Sequence, residues 1–213
     1  HVSEQPAENQ ASQAFHGTSP LAVLAAAGAV NPQFTAIHGT HFDPADQTLL
    51  SQAHAGCCFC PTTERDLADG IGPAKNLASA GATLSLGSDS HAMIDLFEEA
   101  RAIELNERLA TNQRGHHSAA QLLTAATAGG YHALGWNDGG WLALGGRADF
   151  VTVGLNSVRT AGGGTTLENV VYTVTAADVT NLVVDGQTVV ANGAHATIDV
   201  ATELATAIRE VTA

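Results

Sequence analysis

Apolar residues in the first half of the chain fall into short runs that stop abruptly, and each run is followed by a helical pattern. Phe34-Thr35-Ala36-Ile37-His38-Gly39 is one such run, closed by a histidine. Asp43-Pro44-Ala45-Asp46 then provides a cap and a proline for a helix continuing through Leu49, Leu50 and Ala53. Gly56 to Cys60 is a second apolar run, stopped by Pro61-Thr62-Thr63-Glu64. A helix around Pro73 to Ala80 leads into a third, Leu84-Ser85-Leu86, which breaks at Gly87-Ser88-Asp89-Ser90-His91. Upstream, His1-Val2-Ser3-Glu4-Gln5-Pro6 reads as the exit of a strand, ended by Pro6 and the polar run Glu8 to Ser12. The helix after it has Ser19-Pro20 at its start, Leu21, Leu24 and Ala25 on its apolar side and Gly28 at its end. Strands alternating with helices predict an α/β fold with a parallel sheet and helices outside it.

The pattern then lengthens. Met93 to Leu109 predicts an amphipathic helix with Ile94, Phe97, Ala100, Ile103, Leu105 and Leu109 apolar, and Glu98, Glu99, Arg101, Glu104, Glu107 and Arg108 largely outward. Ser118 to Ala128 predicts another, closing at Gly129-Gly130. Beyond Gly135 the texture becomes β-rich, in 149–153 and 181–190, where Asp185-Gly186 between apolar runs signals a hairpin. Ala161-Gly162-Gly163-Gly164 reads as a flexible loop, and Val200 to Ile208 as a closing helix.

Composition narrows the classes. The 213 residues are 45% hydrophobic and 14% charged, which suits a compact domain or a domain with an appendage rather than a disordered chain. A net charge of −13 argues against nucleic acid and anionic membrane as partners. No apolar run is long enough to span a bilayer and no signal peptide is visible, so a cytoplasmic protein is expected. The three cysteines, Cys57, Cys58 and Cys60, crowd into one apolar segment with no distant partner. A disulfide framework is not expected, and strand alternation turns Cys57 away from the other two, which favours core packing over metal binding.

The chemistry gathers at the run ends. His1 with Glu4, then His38, then Asp89 stand at successive strand exits, where a β/α barrel presents its reactive groups. Imidazole and carboxylate suit Zn²⁺, and also Fe²⁺ or Mn²⁺. Asp89 alone would read equally well as a helix N-cap. His16, His41, His54, His116, His117, His132 and His195 have no such placement and read as surface or structural residues.

These motifs together resemble the metal-dependent amidohydrolase superfamily, in its deaminase branch. The wording His1-Val-Ser-Glu-Gln-Pro-Ala-Glu8, Cys60-Pro-Thr-Thr-Glu64 with Asp69-Gly70, and Gly87-Ser-Asp-Ser-His91 is similar to the formimidoylglutamate deiminase family within it. Leu123-Thr-Ala-Ala-Thr-Ala-Gly-Gly130, Leu144-Gly-Gly-Arg-Ala-Asp149 and Val184-Asp-Gly186 extend the similarity over nearly the whole chain. The resemblance implies the second half of a (β/α)8 barrel at 1–135, strands of a small β-sandwich at 136–199 and a C-terminal helix at 200–213. It implies one Zn²⁺ held by His1 and Asp89, Glu4 carrying a proton to the leaving nitrogen, His38 bonding the attacking oxygen, and Asp89 taking its proton. The implied reaction converts N-formimidoyl-L-glutamate to N-formyl-L-glutamate and ammonia, a step of histidine degradation. Another deaminase acting on guanine or an aminated ring, or a half-barrel without catalysis, stays open beside it, as does a homodimer. The family's His-x-His pair is absent from this sequence. The chain is therefore expected to be part of a longer polypeptide, lacking the N-terminal half of the barrel, and to bind zinc poorly and turn over little alone. The residues that would hold the substrate's carboxylates are not evident, and Arg65 reads as exposed.

Overall fold

A computed structural model describes residues 1–90 and 93–212, so His91 lies outside the described residues. The three apolar runs become strands: β1 (Thr35–Ile37), β2 (Gly56–Phe59) and β3 (Thr83–Leu86) form a parallel sheet in that order. Val2 adds one further parallel rung beside His38, its N–H donating to Ile37 O at 3.2 Å. Between them run α1 (Pro6–His16), α2 (Pro20–Ala26), α3 (Pro44–Gln52), α4 (Pro61–Asp66) and α5 (Ala74–Ser79). The core lies between sheet and helices, where Leu21, Leu50, Cys57 and Leu77 are fully buried.

Two of these helices are departures from the sequence reading. The polar run after Pro6 is helix α1, which buries no residue; its apolar positions, Ala7, Ala11, Ala14 and Phe15, are mostly small and all exposed. Pro61 likewise starts α4 rather than only stopping β2, since proline at the first helical turn gives up no hydrogen bond.

Helix α6 (Leu96–Thr111) starts later than expected, with Asp95 as its N-cap, and its charged face is not outward. Glu99 and Glu104 are fully buried, and Arg101 and Glu107 nearly so, whereas Ile94, Leu105 and Leu109 are exposed. The physical reason is capping. Glu99 accepts from Thr62 N at the start of α4 at 3.0 Å, and Glu107 from Lys75 N at the start of α5 at 2.9 Å. Glu104 accepts from Gly115 N at 2.8 Å and His117 N at 2.7 Å, just before α7 (Ala119–Thr124). Arg101 donates to the carbonyls of Tyr172 and Val174 at the end of α9 (Leu167–Thr173). The N–H and C=O groups that lack partners within their own segments at four helix ends thus find charged partners on one helix.

After α7 the helix does not close at Gly129-Gly130. It widens into a π turn over Ala125–Gly129 and continues as α8 (Gly130–Ala133). A Cβ on Gly129 would stand 2.0 Å from Leu84 O, so the missing side chain lets this helix lie directly on β3. The remaining strands, β4 (Phe150–Val153), β5 (Val179–Val184), β6 (Gln187–Ala191) and β7 (Ala194–His195), form one antiparallel sheet in sequence order. Val184 pairs with Gln187 across Asp185-Gly186, as the hairpin signal predicts. Between β4 and β5, the glycine-rich loop is followed by α9, whose Val171 is buried and which packs on α6 and α7. Helix α10 (Val200–Thr212) closes the chain without burying a residue. Among the described residues no helix is long and apolar enough to cross a membrane.

Candidate functional site

The four residues singled out from the strand ends meet at the carboxyl end of the parallel sheet. His1 Nε2 lies 3.7 Å from Asp89 Oδ1, and His38 Nε2 lies 3.8 Å from Asp89 Oδ2 and 3.7 Å from Glu4 Oε1. The His1 and His38 rings stand 5.2 Å apart, centre to centre. His38 is fully buried, while the His1 side chain is 63% exposed.

Local backbone geometry aims them. Ser3, His38 and Asp89 all have positive φ, at 53°, 70° and 49°. The chain leaves each strand by a left-handed residue that is not glycine, at about 1 kcal/mol or more apiece. His38 is pinned in this turn because its N–H donates to Cys58 O at 2.8 Å while Gly39 N donates to Val2 O at 3.1 Å. The Asp89 loop is pinned by Thr63, whose hydroxyl donates to Ser88 O at 2.9 Å and accepts from Ser90 N at 3.1 Å.

Sequence reasoning assigned no role to Glu64, Thr63 or Asp69. Glu64 is buried at the start of α4, accepting from Cys60 N at 2.8 Å and facing His38 Nδ1 at 3.3 Å. It fixes the imidazole with Nδ1 as donor and leaves the Nε2 lone pair toward Glu4 and Asp89. The signal was present: a carboxylate one helical turn past a strand end reaches back over that end. Asp69 is 3% exposed and lies beside Glu4, and His41 Nε2 donates to its carbonyl at 2.8 Å. Arg65 is half-exposed and pairs with Glu98 at 3.1 Å, away from the cluster.

Electrostatics follow from this crowding. Burial raises the Glu4 carboxyl above its ordinary value; His38 opposes the rise, and Asp69 and Asp89 add to it. Burial disfavours a charged His38, but the bond to Glu64 and the charges of Glu4, Glu64 and Asp89 outweigh it and raise its pKa.

The donor set fits a divalent ion. Ligand atoms of His1, His38 and Asp89 lie within 4.8 Å of one another, and His38 Nε2 is buried with no hydrogen-bond partner. A buried lone pair left unpaired is costly, and two imidazoles with a carboxylate are borderline-soft donors of the kind zinc takes.

The amidohydrolase family matches residues 1–189. Formimidoylglutamate deiminase of Pseudomonas aeruginosa is 34% identical over 205 residues, 92% of this chain and 45% of that protein. A 5-methylthioadenosine/S-adenosylhomocysteine deaminase of Pelotomaculum thermopropionicum is 33% identical over 192 residues, 89% of this chain and 44% of the relative. The crystal structure of an adenosine deaminase from Xanthomonas campestris with bound zinc superposes with a TM-score of 0.92 at 30% identity, covering 98% of this chain and 48% of that one. The chain spans about half the length of the curated relatives it matches. With His1, His38 and Asp89 converging at the strand ends and the family match running through all three, the chain belongs to the amidohydrolase family.

Proposed function

We propose that this chain carries one half of the catalytic machinery of a metal-dependent deaminase acting on an amidine C=N. In this reading Val2, β1, β2 and β3 are the last four strands of a (β/α)8 barrel, residues 1–135, and the antiparallel strands in 136–199 belong to a small sandwich beside it. The carrying observation is the convergence of His1, His38 and Asp89 with Glu4 at one strand-end cluster.

His1 and Asp89 would hold Zn²⁺, with His38 Nε2 facing the same point. Zinc, when bound, acidifies water and polarises an electrophile. Asp89 accepts a proton from the attacking water. His38, held by Glu64, donates to or accepts from the oxygen added at the tetrahedral carbon. Glu4, whose raised pKa favours its acid form, gives a proton to the nitrogen so that it leaves as ammonia. Water adds across C=N, a carbonyl forms and ammonia departs.

The substrate we favour is N-formimidoyl-L-glutamate, supported by the motif wording and by the Pseudomonas relative. A second reading, an aminated purine ring, is supported by the methylthioadenosine/S-adenosylhomocysteine deaminases that recur among the relatives. Ammonia release by the zinc-supplied native protein, offered N-formimidoyl-L-glutamate and S-adenosylhomocysteine side by side, separates the two. Glu4→Gln should lower kcat by about 10²-fold or more while the protein still binds zinc. No ammonia from either substrate by the zinc-loaded full-length polypeptide would refute both substrate readings.

A further inference from the structure

The loop after α4 returns to the strand ends, and His41 ties it there. His41 N donates to Ser3 O at 3.0 Å, next to Glu4, and its Nε2 donates to Asp69 O at 2.8 Å. Asp69 N donates to Glu64 O at 2.9 Å, and the Glu64 carboxylate faces His38 Nδ1 at 3.3 Å. With Glu4 Oε1 3.7 Å from His38 Nε2, these contacts close a ring that runs from His38 through Glu64, Asp69, His41 and Ser3 to Glu4 and back. Gly70 lies against the same turn: a Cβ built there would stand 3.7 Å from both His41 and Thr40.

The Asp69 backbone is thereby fixed, but its side chain is left unsatisfied. The residue is 3% exposed, and among the described residues neither carboxylate oxygen has a hydrogen-bond partner. The hydroxyls of Ser3 and Thr40, on the turns that His41 joins, are also buried and unpartnered among the described residues. A buried carboxylate without a partner is costly, so the site is built for something that brings donors. Charge narrows what that is. Glu4, Glu64 and Asp89 pair only with imidazoles, at 3.3 to 3.8 Å, and Asp69 pairs with no cationic side chain among the described residues. Four carboxylates thus meet two imidazoles and neither lysine nor arginine, an excess that a divalent ion offsets only in part.

We propose that Asp69 is a substrate-binding residue that accepts the N–H groups of a cationic amidine, and that His41 positions it. An amidine is protonated at neutral pH and presents its N–H bonds as a planar fork, which a carboxylate accepts as it accepts a guanidinium. A neutral aminated ring brings no such charge, so Asp69 favours the amidine over the aminopurine. The choice of substrate class rests on the deaminase reading, whereas the test reads binding and needs no turnover.

Formamidinium, the smallest such cation, is titrated into the zinc-loaded full-length polypeptide and followed by amide shifts in NMR, with formamide as its neutral counterpart. Formamidinium should shift the amides of Asp69 and Gly70 and bind Asp69→Asn about 10-fold or more weakly, while formamide should leave those amides unmoved. His41→Gln, which keeps a donor for the Asp69 carbonyl, should retain binding that His41→Leu loses. Formamide bound as tightly as formamidinium, shifts confined to other segments, or Asp69→Asn or His41→Leu binding formamidinium as wild type does would each overturn the proposal. The two probes on the wild-type protein decide even where a variant folds poorly. Formamidinium binding that depends on Asp69 in a protein that releases no ammonia would sink the deaminase reading and keep this one. Ammonia from N-formimidoyl-L-glutamate with KM unchanged in Asp69→Asn would do the reverse.

Discussion

Gly129→Ala tests how the helix and the site-bearing strand are held together. Gly129 has ordinary helical backbone angles, φ −61° and ψ −42°, so alanine carries no conformational penalty there. By propensity alone the substitution should stabilise by about 1 kcal/mol. The new Cβ, however, would stand 2.0 Å from the backbone oxygen of Leu84 on β3. An ordinary non-bonded contact sits near about 3.5 Å, so helix and strand must part by about 1.5 Å. Overpacking of that kind costs about 3 kcal/mol, at the upper end of its usual range, because backbone cannot swing aside as a side-chain tip can. The net expectation is a loss of about 2 kcal/mol. Gly130 is the internal control: it is helical too, at φ −63° and ψ −45°, and nothing lies within 4 Å of its Cβ position. Gly130→Ala should therefore stabilise by about 0.5–1 kcal/mol. Urea unfolding followed by far-ultraviolet circular dichroism reads both. A Gly129→Ala chain as stable as wild type, or a Gly130→Ala chain destabilised as much as Gly129→Ala, would refute the close-approach argument.

Two further substitutions probe the buried carboxylates. Glu64→Gln keeps the shape of the side chain that faces His38 Nδ1 but removes its charge, so the His38 pKa should fall in the metal-free chain; an imidazole titration by NMR that does not move would refute the orienting role. Glu104 is buried, but its bonds from Arg108, His117 N and Gly115 N outweigh the burial and lower its pKa from 4.5. Its contribution is therefore present above the unfolded value and lost as pH falls through the folded one, so Glu104→Gln should cost about 2 kcal/mol at neutral pH and flatten the acid limb of the stability curve. An unchanged acid limb in urea unfolding across pH 3–7 would count against it.

The strand-and-helix alternation was legible because apolar runs bounded by Gly, Pro and capping residues carry their own punctuation. Ser19, Asp43 and Ser118 cap helices α2, α3 and α7 as their sequence positions suggest. The burial of α6 was not legible. Periodicity places a charged residue outward because burial of an unpaired charge is costly, and it has no way to register that Glu99, Glu104 and Glu107 meet N–H groups from 37, 11 and 32 positions away. Helix α1 was missed for a different reason: its apolar stripe is three alanines and Phe15, all exposed, and the polar residues between them look like a strand stop.

The site shows the same division. Which residues gather at the cluster could be read from residue type at a strand end, because side chains alternate along a strand and the last one is set at the mouth. How they are aimed could not, because His38 and Asp89 adopt left-handed backbone that glycine or asparagine would take more readily. Replacing His38 by glycine would relieve that conformation and remove the donor with it. The strain is held instead by bonds that cross the sheet, Cys58 O to His38 N and Thr63 to the Ser88–Ser90 backbone. Helix α4 provides both Thr63 and Glu64, one for each strained exit. A segment the sequence presented as a strand stop therefore sets the relative position of His38 and Asp89, and a substitution there should alter the cluster without touching any of its donors.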